Sequence, residues 1–276
     1  MTDVVLLTVK TEPVPPRPPR ARLGRTPAVA LLTVAALLAG WWVVSHSGLL
    51  PAVFAPTPEA VVRQAVRVWT EGFVDSTLAE HALASLGRVF AALAAAIVTA
   101  VPVGLAIGLS PTARGVFEPV IEFYRPIPPL AYLPLIVIWF GIGELSKVLL
   151  IYLAVFAPVA IATAAGVAAV DRDRVNAARS LGATRAQVVR LVVLPGALPD
   201  ILTGIRIGLG AGWSTLVAAE LVAATRGLGF MVQSAAQFLV TDVVVLGILV
   251  IAAVAIILEI LVRLAQRLLV PWQGRQ

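Results

Sequence analysis

Long apolar runs separated by short polar stretches recur along this chain, and each run has the length that a helix needs to cross a bilayer. A hydrocarbon core of roughly 30 Å takes about 20 helical residues. Runs of this kind occupy residues 28–47, about 89–109, 116–140, 148–169, about 198–223 and 243–264, so six spans are expected. None shows the apolar–polar alternation of barrel strands, and backbone groups in lipid must be satisfied within the segment, so the spans are helices. The third run is interrupted by Pro126, Pro128, Pro129 and Pro134. These prolines remove backbone donors and bend the span. Unwound backbone at membrane depth is tolerated where it is buried in protein or lines a cavity, which favours a pathway there.

Two shorter segments carry a different pattern. From Pro58 to Thr70, apolar Val61, Val62, Ala65, Val66 and Trp69 fall at helical spacing, which predicts an amphipathic helix lying at the outer membrane interface. Residues 176–195 form a polar, arginine-bearing helix–turn–helix between the fourth and fifth spans. There Gly182 permits a turn that a Cβ would resist, and Pro195 is expected to end the second helix. Arg179, Arg185 and Arg190 are expected to stay solvated, while Val188, Val189, Leu191 and Val192 supply an apolar side.

Composition agrees with a membrane protein: 59% of the 276 residues are hydrophobic and 13% are charged, half the charged share of an ordinary soluble domain. The net charge of +6 could point to nucleic acid. The basic residues lie instead in short flanks between spans, as topology determinants do, and no nucleic-acid partner is expected. Lys10, Arg17, Arg20, Arg22 and Arg25 hold the N-terminal tail in the cytoplasm, and six spans then put Arg114, the arginines of 172–190 and the C-terminal tail on the same side. Arg63, Arg67, Arg88, Lys147 and Arg226 fall to the outer side, partly balanced by acids that include Glu144. The organisation expected is a disordered cytoplasmic tail at 1–27, a first span with the outer amphipathic segment at 28–79, a transmembrane domain at 80–265 and a cytoplasmic tail at 266–276.

The chain has no cysteine, so disulfides and thiolate sites are excluded. It has no Gly-rich phosphate loop of the Walker type, so it does not bind ATP by that mechanism. His46 and His81 are isolated, read as interface residues rather than metal ligands, and no metal or cofactor is expected. Gly204, Gly208 and Gly212 recur every fourth position on the fifth span, a small-residue face for close helix packing, either within the subunit or across a homodimer axis. Ionisable groups in a span cost about 2.5–3.5 kcal/mol on insertion scales and need a partner or a wet cavity. Arg125, Trp213, Thr215 and Glu220 are candidates to border a translocation path; the plainer alternative is that Glu122 and Arg125 neutralise one another and Glu220 lies at the interface. Glu259 and Arg263 read as an i,i+4 surface pair.

The polar insertion resembles the coupling loop of permease subunits of binding-protein-dependent ABC importers. The resemblance rests on the paired Ala177 and Ala178, Gly182 after three further residues, and Val192-Val193-Leu194-Pro195 after nine more. The family pattern has Glu before the alanines and Ile two residues before the Leu-Pro; Asn176 and Val192 stand there here, which removes a charge from the first position. Tyr124-Arg-Pro-Ile-Pro-Pro-Leu-Ala-Tyr-Leu-Pro-Leu and residues 199–231 are similar to the nitrate, sulfonate and taurine branch, most of all to its taurine-transporting members.

The resemblance implies a type I importer permease fold of about six transmembrane helices with a cytoplasmic coupling helix. It implies a bacterial inner-membrane location and inward transport of taurine or related alkanesulfonates, with nitrate, bicarbonate or another small anion as alternatives. Partners implied are an ATP-binding subunit in two copies, an external solute-binding protein, a second permease copy and the membrane lipid. Asn176, Ala177, Ala178, Arg179, Gly182, Arg185, Leu194 and Pro195 are then the residues that meet the ATPase. The chain itself is not expected to be an enzyme. A secondary transporter would carry coupling-ion carboxylates at the midplane, and an intramembrane enzyme would need converging nucleophile and base; the spans offer neither.

Overall fold

A computed structural model describes residues 26–271. The expected tail of 1–27 and the last residues of the chain lie almost wholly outside that range. Eleven helices run through the described part: α1 (Thr26–His46), α2 (Pro58–Thr70), α3 (Leu78–Leu109), α4 (Pro111–Tyr124), α5 (Leu133–Phe140), α6 (Glu144–Ala168), α7 (Arg172–Ser180), α8 (Arg185–Val188), α9 (Leu194–Ala223), α10 (Leu228–Gln237) and α11 (Thr241–Leu269). Five stretches are long and apolar enough to cross a membrane, and a sixth is reached when α4 and the Pro129–Phe140 segment, bent by 90° from it, count as one broken span.

Helix α6 is the centre of the bundle, packed along α3 on one side and α9 on the other. Small residues set the approach. Gly204, Gly208 and Gly212 face Val159, Val155 and Ile151 of α6, and a Cβ at Gly204 would come within 2.5 Å of Ala162. The every-fourth glycine face is thus used inside the subunit, which corrects the homodimer alternative. Close backbone approach is what small residues supply in a membrane, where lipid is as apolar as leucine and packing must do the work.

Around this trio, α10 packs on α11 and α9, and α2 packs on α11. Helix α2 is capped by Thr57, whose hydroxyl accepts from the Ala60 N–H, with Pro58 in the first turn. Its Val61 and Val68 are buried against the bundle, whereas Val62, Val66 and Trp69 are exposed. The amphipathic segment therefore has two apolar sides, one for protein and one outward. Helix α1 stands apart, held near α2 by the Trp41 indole donating to Pro56 O (3.0 Å) and the Trp42 indole to Glu59 Oε1 (3.0 Å).

Candidate functional site

The polar insertion folds as two short helices joined by a tight turn. Asp171 caps α7 by accepting from the Asp173 N–H (2.9 Å). At the other end the Ala183 N–H donates to Ala178 O (3.1 Å) and the Gly182 N–H to Arg179 O (2.9 Å), the paired bonds of a Schellman stop. Gly182 has φ +85° with nothing near its missing Cβ, so the glycine is required by backbone conformation rather than by space. Thr184 and Gln187 form a capping box that starts α8.

Helix α8 does not stop at Pro195. It passes through a π-turn, Val189–Val193, in which the Leu194 N–H reaches back to Val189 O, and continues as α9. The expectation that Pro195 ends the helix is corrected: the proline sits in the first turn of α9, where a missing N–H costs little. The second helix of the elbow is therefore continuous with a span.

The elbow's apolar side also differs in detail. Val188 and Val193 are buried with Val167, Ala197 and Ile201, and Ala178 and Ala183 pack against that cluster. Leu191, expected on this side, is 67% exposed, and Leu181 at the tip is 89% exposed. The π-turn adds a residue to one turn and so rotates Leu191 outward. Asn176, Arg179 and Arg185 face a cavity of about 870 Å³ beneath the ends of α3 and α6, together with Arg114 and Arg172. No carboxylate lines it, so this cup carries four uncompensated positive charges. Ala177 is exposed, and Leu194 and Pro195 are half-buried.

The opposite end of the bundle holds an ionic cluster that local sequence reading misses. Glu220 is fully buried and accepts from Arg88 Nη1 (2.5 Å), Ser85 Oγ (2.8 Å) and the Gly229 N–H (2.8 Å). Arg88, itself 5% exposed, grips Glu144 through Nε (2.5 Å) and Nη2 (2.8 Å), and Glu144 also accepts from buried Lys147 (2.7 Å). Arg88 and Lys147, read as outer-loop charges, are thus interior helix residues. His81 is buried too: Nδ1 accepts from the Gly227 N–H (3.1 Å), which leaves Nε2 to donate to Phe73 O (2.9 Å). This corrects its reading as an interface residue. Together these groups hold residues 226–229, and a Cβ on Gly227 (φ +134°) would overlap the Glu220 carboxylate.

The four path candidates are not brought together. Glu220 is saturated in the far-end cluster, apart from the other three. Thr215 donates to Ala211 O (2.8 Å) within α9. Trp213 lies in the main core, its buried indole N–H without a protein partner. Arg125 caps the end of α4 and lines a separate groove of about 340 Å³ in which the other three take no part. Glu122 lines the same groove, and no salt bridge joins it to Arg125 among the described residues. Glu259 pairs with Arg263 (2.7 Å), as its spacing predicts, and also with Arg206 of α9 (2.5 Å).

Comparison with known proteins accounts for this architecture. Residues 77–275 match the family described as binding-protein-dependent transport system inner membrane component. The chain is 59% identical to the taurine transport system permease protein TauC of Escherichia coli (strain K12), over 91% of this chain and 92% of that protein. It is 35% identical to the putative aliphatic sulfonates transport permease protein SsuC of Bacillus subtilis (95% and 93% covered) and 32% identical to the bicarbonate transport system permease protein CmpB of Synechococcus elongatus (82% and 84%). In fold it is similar to a chain of the inward-facing MetNI methionine ABC transporter, with a TM-score of 0.54 at 22% identity, over 65% of this chain and 92% of that one. Such a permease has a solute-binding protein and an ATP-binding subunit as its partners. The bundle, its apolar spans and the elbow are those of a multi-pass inner-membrane protein, and the chain belongs to the family of binding-protein-dependent ABC importer permeases.

Proposed function

We propose that this chain carries taurine and related alkanesulfonates inward, as one of two permease copies driven by two ATP-binding subunits that dock on the α7–α8 elbow. The substrate assignment is carried by one observation, the 59% identity to the taurine permease over nine-tenths of both chains. The elbow has what docking on a soluble partner needs. It projects from the bundle, Leu181 at its tip is almost fully exposed, and it is stiffly joined to α9. A partner that pushes on α7 moves α9, and α9 is packed along the central α6. ATP-driven closure of the partner is thereby turned into rearrangement of the spans, and the site alternates between the two sides.

Asn176 shapes the docking chemistry. With an amide where the family pattern has Glu, no carboxylate lines the cup to offset its arginines, and an acidic surface on the ATP-binding subunit is its natural complement. The reading is tested by deleting this chain from a cell that grows on taurine as sole sulfur source. Growth on taurine is lost while growth on sulfate persists, and reconstituted permease with both partners hydrolyses ATP faster when the binding protein is loaded with taurine. Uptake by this chain alone, without ATP, would contradict it.

A further inference from the structure

Helix α4 carries Arg114, Glu118, Glu122 and Arg125 at intervals of four, four and three residues, which places all four on one face. That face lines the groove of about 340 Å³, and the opposite wall is Ile161, Ala164, Ala165 and Ala168 of α6. Alanines neither bond to nor neutralise a charge. Among the described residues no salt bridge reaches any of the four, whereas Arg88, Glu220, Lys147 and Arg206 elsewhere in the bundle are all paired. Ionisable groups in a membrane-spanning segment face a partner or water, and unpaired ones mark a solute route. The groove also sits against the 90° break between α4 and the Pro129–Phe140 segment, where a helix ends inside the span. The last carbonyls of α4 form the negative end of its dipole, which favours a cation beside Glu122. Arg125 at that end presents the planar fork suited to an oxyanion.

From these juxtapositions, and resting on the importer reading above, we propose that the α4–α6 groove holds a short zwitterionic sulfonate in transit, with Arg125 taking the sulfonate and Glu122 the ammonium. The two side chains are i,i+3 neighbours, with Cβ atoms about 5–6 Å apart, a spacing that fits charges separated by a short carbon chain. The volume is at the small end of solute sites, which suits taurine and excludes large solutes. Arg114 and Ala168 line both this groove and the arginine cup, so the two are adjoining. Arg114 lies about 16 Å along the helix from Arg125. A sulfonate that leaves Arg125 therefore meets Arg114 and then the cup, a route of falling residence towards the elbow side.

Because the chain has no cysteine, Glu118→Cys gives the permease a single thiol. In the nucleotide-free importer with its partners, a water-soluble charged thiol reagent labels Glu118→Cys, and taurine slows the labelling more than ethanesulfonate does. Adding Glu122→Gln abolishes that preference. Arg125→Gln lowers taurine transported per ATP hydrolysed by about tenfold, the worth of one charge-assisted contact, and Arg125→Lys recovers part of it. A thiol that the reagent does not reach, or Arg125→Gln with the wild-type yield per ATP, would overturn the proposal. Failure of the importer reading itself is separate: the unaltered complex would then show no ATP-dependent uptake at all.

Discussion

Removing the Glu220 carboxylate should destabilise the far end of the bundle by several kcal/mol, and the neighbouring charges determine how much. Glu220 is fully buried and receives three donors, from Arg88, Ser85 and Gly229. Glu220→Ala leaves Arg88 with Glu144 as its remaining carboxylate, and that group is already shared with Lys147. Breaking one partner of a buried pair costs about 3–5 kcal/mol, because the remaining charge and donors are left desolvated. Replacing both partners by apolar residues of similar volume is often close to neutral. Arg88→Met with Glu220→Leu should therefore be less destabilised than either Arg88→Met or Glu220→Leu alone.

The assay is equilibrium unfolding of the purified permease from mixed micelles, followed by circular dichroism, with the singles and the double compared in one cycle. Hydrogen exchange supplies a local readout, since the cluster ties the backbone at residues 226–229. The amides of Gly227, Leu228 and Gly229 should lose protection in Glu220→Ala while those of α6 near Val159 keep it. A Glu220→Ala variant within about 1 kcal/mol of wild type, below the range expected for a broken buried pair, would refute the reasoning. So would a double variant as poor as the sum of the singles.

Three further outcomes follow from the same geometry. Gly182→Ala meets no atom within 4 Å but forces a Cβ residue to φ +85°, so it should cost about 1 kcal/mol locally and weaken ATPase stimulation without altering membrane insertion. Stimulated hydrolysis and expression level, measured together, check this. Leu181→Asp puts a charge on the exposed tip and should reduce co-purification of the ATP-binding subunit while the permease itself stays folded. Gly204→Leu has no room beside Ala162 and the Pro158 carbonyl and should abolish accumulation of folded permease, read by size-exclusion profile in detergent.

The six apolar runs are legible because a bilayer demands length and hydropathy, and both are local properties of a sequence. The break in the third span is legible for the same reason, since its prolines act on their own backbone, although its 90° angle depends on what packs around it. The start of α3 at Leu78 carries one local signal, the Thr77–Glu80 capping box, which hydropathy alone passes over; His81, Ser85 and Arg88 find their partners on α6, on α9 and in the α9–α10 connection, which no local window shows. Arg88 and Glu220 are 132 residues apart, beyond any window of periodicity. The same separation hides the partners of Glu220 from any local reading. At the elbow, Gly182 and the Thr184 cap carry clear signals. The π-turn carries none, which is why Pro195 looked like a terminator and Leu191 like an inward residue.

Leu181→Cys offers the most direct measurement of how the spans are driven, because it places the chain's single thiol on the elbow tip. The account predicts that a short thiol crosslinker joins this residue to the ATP-binding subunit in membranes, that ATP changes the yield, and that impermeant reagent added to intact cells leaves it unlabelled. Labelling from outside intact cells, or a tip that crosslinks to no ATP-binding subunit in an active complex, would contradict it.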